Sequence, residues 1–238
     1  MLLMVSINAV AEGGVSFSRN RIIFKGADKA VTLSVINRGN TPWLIQSNVF
    51  AQPDTKSAAP FMVTPPLFRL EGNAENTFRI VRAGGEFPQD RESVFYFTAN
   101  AIPSQSSPSS EAGQQPVGRL SISVRTVLKL FWRPEGLDMA ADKAPSAMRF
   151  IRTPGGITIE NPTPYYQSLA LLSLDGSVQD IDRVPSMVPP FGELHFSAVT
   201  PVSRVTWSVM NDYGGATKPV DTRVENTAGL DGTRAMKF

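Results

Sequence analysis

Catalytic chemistry has few residue types to draw on in this chain. There is one histidine, His195, in the strand-like context ELHF, and there is no cysteine. A Ser-His-Asp triad needs an imidazole as its general base, so His195 is the only candidate, and a lone histidine in a strand reads as a surface or packed residue. With one histidine and no cysteine, a zinc centre would have to be built mainly from carboxylates, which is unusual. No GxxxxGK[ST] loop occurs, and Gly84-Gly85 and Gly214-Gly215 read as turns. No catalytic residue, metal ligand or cofactor is therefore assigned. More distinctive are two cations inside strand-like runs, Arg21 and Lys129, neither with an acid at pairing distance in sequence. Taken singly, each reads as a solvated edge residue, since edge strands use cations defensively.

Lys129 lies in the stretch around which the chain is organised, GRLSISVRTVLKLFWRP at 118–134. Leu120, Ile122, Val124, Thr126 and Leu128 fall on one side, with Ser121, Ser123 and Arg125 on the other. A period of two means a β-strand. At about 3.3 Å per residue, fifteen residues would run roughly 50 Å, far beyond the usual strand. The segment before it, PSQSSPSSEAGQQP at 103–116, has nothing with which to bury apolar surface and is expected to be mobile. After it, Pro134 and Gly136 break the pattern at an expected domain junction. Pattern alone leaves two readings open: an ordinary sandwich strand facing its own core, or a strand shared with another chain.

The rest of the chain shows short β patterns about every ten residues, punctuated by turns and without helical periodicity, which predicts β-sandwiches. A length of 238 residues suits two domains, and 42% apolar residues suffice for packed cores. Only 18% of residues are charged and the net charge is +2, so nothing points to nucleic acid. The first residues, MLLMVSINAVAEG, contain a short apolar run and the A-x-A pattern Ala9-Val10-Ala11. This reads as a truncated signal peptide over 1–11, with Glu12 as the expected mature start. No later stretch is long and apolar enough to insert in a membrane. Pro65 or Pro66 is a candidate for a cis peptide bond. The closing residues, 223–238, are weakly patterned and read as a tail.

Several dispersed motifs occur in order: GVSFSRNRIIF near the start, PQDRESVFYF at 88–97, LKLFWRP at 128–134, ITIENPTPYY at 157–166, MVPPF at 187–191 and NDYGG at 211–215. Together they resemble the periplasmic pilus-assembly chaperones, the PapD-like family of the chaperone–usher pathway, over residues 14–219. The resemblance implies an all-β chain of two immunoglobulin-like domains, 12–134 and 135–222, in a boomerang arrangement with a cleft. It implies that Arg21 and Lys129 bind the C-terminal carboxylate of a pilus subunit. It further implies that Leu120, Ile122 and Val124 fill that subunit's groove, and that Glu92, Arg133 and Asp212 form an interdomain ion network. Lys129 has the opposite parity from the three apolar residues.

The implied function is that of a periplasmic, non-enzymatic chaperone without cofactor. It would bind pilus subunits by strand addition and deliver them to an outer-membrane usher. An exposed apolar row would also favour a self-dimer of the free chaperone. Two alternatives predict different behaviour. A two-domain adhesin or structural pilus component would assemble into fibres without needing Arg21 or Lys129. A sandwich enzyme would depend on His195.

Overall fold

The computed structural model describes residues 14–55, 57–104, 121–199 and 201–226. The expected signal peptide, most of the expected mobile loop, Leu120 and the tail beyond 226 lie outside these residues. The chain divides into two compact units. One comprises residues through Ile22, Asp28–Gly85 and Phe95–Leu130; the other comprises Ile23–Ala27, Glu86–Val94 and the chain from Phe131 onward.

The first half of the chain forms β1 (Val15–Phe17), β2 (Arg21–Lys25), β3 (Val31–Asn37), β4 (Trp43–Phe50), β5 (Phe61–Thr64), β6 (Leu67–Leu70), β7 (Glu75–Arg82), β8 (Ser93–Pro103) and β9 (Val124–Arg133). One sheet has the order β1-β3-β7-β5 and the other β2-β9-β8-β4-β6. The opening run, a single strand-like stretch in sequence, thus contributes to both sheets, with its break at 18–20. Alternation sets the core. Leu33 and Val35 of β3, Ile45 and Val49 of β4, and Phe78 and Ile80 of β7 are fully buried, while Ser34, Gln46, Asn48 and Arg79 point the other way. Phe78 packs edge-on against Phe97 with ring centroids 5.2 Å apart and against Phe68 at 5.4 Å. The peptide bond Thr64–Pro65 is cis.

The second half forms β10 (Arg149–Thr153), β11 (Gly156–Asn161), β12 (Gln167–Leu174), β13 (Ser177–Val178), β14 (Met187–Val188), β15 (Gly192–Ser197), β16 (Arg204–Val209) and β17 (Val220–Arg223), preceded by a 3₁₀ turn at Ala144–Ala147. Its sheets run β10-β11-β15 and β13-β12-β16-β17, with β14 beside β12. Phe150, Ile157, Ile159, Leu172, Val205 and Trp207 are among the residues of its core. The expected tail begins too early at 223. Arg223 closes β17 opposite Arg204, Val224 is buried in the core, and Arg152 donates a backbone hydrogen bond to the Glu225 carbonyl at 2.8 Å. The reason is alternation: Val224 shares a face with Thr222, whose hydroxyl accepts from the Trp207 indole N–H at 2.9 Å.

The long strand is shorter than its pattern. Strand β9 has ten residues, and 121–123 precede it without a ladder partner among the described residues. Alternation marks residues competent to be a strand, but a ladder also needs a neighbour to supply its hydrogen bonds.

Candidate functional site

Strand β9 lies between β2 and β8. Its β2 side is only partly occupied, because β2 has five residues against ten. The covered part is fixed at its end, where the Gly26 N–H donates to the Arg133 carbonyl at 2.7 Å. The chain before β2 is committed elsewhere, since Val15, Ser16 and Phe17 pair with Asn37, Ile36 and Val35 of β3. About half of that edge of β9 therefore has no neighbour among the described residues. Apolar side chains stand where the cover ends: Ile122 is 63% exposed and Val124 is 51% exposed. Unpaired edges of this kind are templates for another chain. The Arg125 guanidinium donates to the Pro53 carbonyl at 2.7 Å and ties the start of the strand to its own unit.

The side chains of β9 alternate through Leu130. Val124 and Thr126 face the space between the sheets, and Leu128 and Leu130 continue that row into the core. Lys129 lies on the opposite side with Arg125 and Val127. The parity difference seen in the sequence is thus a difference of face.

Arg21, the first residue of β2, is buried, and Lys129 is half-buried. Loss of water around Lys129 holds its ammonium below the ordinary lysine range, and the charge of Arg21 adds to that lowering. Two cations close enough to repel, with no carboxylate paired to Lys129 among the described residues, make a place where an anion is favoured. A carboxylate could accept charge-assisted hydrogen bonds there.

Glu92, Arg133 and Asp212 come together, all within the second compact unit. The Arg133 Nε donates to Glu92 at 2.8 Å, and its two terminal nitrogens fork onto Asp212 at 2.7 and 2.8 Å. The other Glu92 oxygen accepts the Tyr166 backbone N–H at 2.9 Å. Burial raises the Glu92 carboxyl above its ordinary range despite the opposing charge of Arg133. Burial also works against the Arg133 charge, but hydrogen bonding to Asp212 and the charges of Glu92 and Asp212 outweigh it and raise its pKa. Arg133 lies over the Tyr165 ring at 4.9 Å.

The dispersed motifs explain how these groups are held. In NDYGG, the Asn211 side chain accepts the N–H groups of Tyr213 and Gly215, at 2.9 and 3.1 Å, which orients Asp212. In ENPTPYY, the buried Asn161 amide donates to the carbonyls of Tyr165 at 2.7 Å and Pro189 at 2.9 Å, joining this turn to MVPPF. Asn161 and Tyr166 were not expected as organising residues; the single Asn-Pro step and the Tyr-Tyr pair of this motif are their only signal in the sequence.

His195 has a Thr153 hydroxyl at 3.4 Å as its side-chain hydrogen-bond neighbour. Among the described residues no group of acidic, histidine or cysteine side chains could hold a metal, and no helix is long and apolar enough to cross a membrane.

Comparison with known proteins gives two family matches. Residues 14–138 match the pili and flagellar-assembly chaperone PapD N-terminal domain, and residues 143–220 match the pili assembly chaperone PapD C-terminal domain. The probable fimbrial chaperone protein ElfD of Escherichia coli K12 is 34% identical over 218 residues, covering 90% of this chain and 89% of its own. The chaperone protein FimC of the same strain is 34% identical, with 91% and 87% covered. Among solved structures, a chain of the Salmonella enterica SafA pilin–SafB chaperone complex is 32% identical. It covers 91% of this chain and 99% of its own, with a TM-score of 0.78.

Proposed function

We propose that this chain, which belongs to the PapD family of pili-assembly chaperones, captures pilus subunits in the periplasm by lending them the exposed part of β9. The observation that carries this reading is the half-covered edge of β9 with Ile122 and Val124 exposed beside it. An extended segment of a subunit can add to that edge through main-chain hydrogen bonds, while alternate side chains enter the subunit's groove. Leu120 would extend the same row.

Arg21 and Lys129 would receive the C-terminal carboxylate of the subunit. Each charge-assisted hydrogen bond contributes roughly 1.5–3 kcal/mol, so loss of one cation should weaken capture about 10- to 150-fold. The anchor also sets register, because a slip of one residue would turn every side chain to the wrong face. Glu92, Arg133 and Asp212 support the end of β9 and take no part in capture. The captured subunit would then pass to an outer-membrane usher, with folding and strand exchange supplying the driving force and no reaction catalysed.

The test is co-expression with candidate pilus subunits and co-purification from the periplasm. A one-to-one complex with wild type, lost in Arg21→Ala and Lys129→Ala chains that remain folded, is the expected result. Undiminished capture by the folded double variant would remove the carboxylate anchor from the mechanism.

A further inference from the structure

We propose that a pocket between the two sheets of the first unit binds a compact, uncharged, apolar molecule of single-ring size. The pocket has a volume of about 180 Å³. Phe17 and Trp43 supply aromatic walls, Ala99 and Ala101 leave room at the floor, and Val124 and Thr126 close the side along β9. These residues come from both sheets, since β1 belongs to one and β4, β8 and β9 to the other. Protein interiors hold few voids larger than a water molecule, and an apolar cavity of about 150 Å³ accommodates benzene.

The walls are held by backbone ladders and cannot simply collapse inward. Phe17 is registered against Val35, and Ala99, Ala101 and Trp43 are registered through Ser47↔Ala99, Ile45↔Ala101 and Trp43↔Pro103. The side chains around an unfilled apolar space forgo dispersion contacts, which a ring of the right size restores. No lining side chain is charged, so an ionised ligand would lose its hydration without a partner. Gly14 and Val124 are exposed, giving the pocket a mouth at the start of β9. The site is separate from Arg21 and Lys129, and its existence does not depend on subunit capture.

The experiment is a titration of the full chain with toluene, followed by amide NMR and by thermal melting, with benzoate as the charged control. Saturable shifts at Phe17, Ala99 and Ala101 with a rise in Tm are expected for toluene but not for benzoate. Ala101→Leu and Thr126→Phe fill the pocket from different walls, the second at a half-buried position. Each folded variant should bind toluene at least tenfold more weakly. Absence of saturable shifts in the folded wild type would overturn the proposal. So would undiminished toluene binding by either folded variant, or benzoate binding as tight as toluene.

Discussion

Arg133 has a side chain 14% exposed and serves two carboxylates, one of which, Glu92, is only 2% exposed. Replacing it with methionine takes the Nε donor from buried Glu92 and leaves that carboxylate the Tyr166 N–H. Breaking such a pair by removing one partner costs about 3–5 kcal/mol. The exposed pair Arg69–Glu71, with both side chains about 60% exposed, is the contrast: Arg69→Ala should change stability by no more than about 1 kcal/mol. Chemical denaturation of the two variants tests the ordering. Lys129 has the opposite character. Its lowered pKa means that the folded state gives up the proton more readily than the unfolded chain, so the charge opposes folding below that value and the cost disappears above it. Lys129→Met should therefore raise Tm in the free protein while weakening capture. A bound carboxylate favours the charged form, so capture should fall as pH rises through the lowered lysine value. Lys129→Arg should flatten that profile, since guanidinium stays charged; titration calorimetry at rising pH would measure both.

Strand β9 reconciles two requirements that usually conflict. Its Leu128 and Leu130 are packed in the core, which fixes the strand, while its opening residues keep an edge and apolar side chains available. Ile122→Asp and Val124→Asp should consequently leave Tm within a few degrees and reduce capture at least tenfold. A large loss of stability in either would mean that these side chains support the chaperone's own fold. Period-two alternation made the strand and its faces legible from sequence, including the separation of Lys129 from Val124. Where the ladder stops was not legible, because that depends on β2 being short and on β1 belonging to the other sheet. The same limit applies to β17. Val224 is one apolar residue in a polar stretch, and only its placement beside Thr222 and Trp207 makes it part of a core. Of the ionic cluster, motif resemblance named Glu92, Arg133 and Asp212. The backbone N–H of Tyr166 could not be named in that way, because no side-chain chemistry marks it.

The molecule has two cores, one centred on Phe78 and Phe97 and the other on Phe150 and Trp207. Glu92, Arg133 and Asp212 all fall among the residues of the second unit. Hydrogen exchange on Arg133→Met should therefore lose protection around Phe150, Ile159 and Trp207, while β3 and β7 keep theirs; uniform loss would mean that the units unfold together. A chain acting as a pilus component would polymerise on its own, whereas a capturing chain should stay free of fibres in electron micrographs at any concentration that keeps it folded. The half-covered edge of β9 also bears on selectivity. Main-chain N–H and C=O groups are common to every polypeptide, and so is a terminal carboxylate. A surface that reads those features is indifferent to most of its partner's sequence. Discrimination then falls to the few apolar side chains at the start of the strand, so exchanging residues 120, 122 and 124 between related chaperones should redirect client choice while leaving the anchoring chemistry untouched.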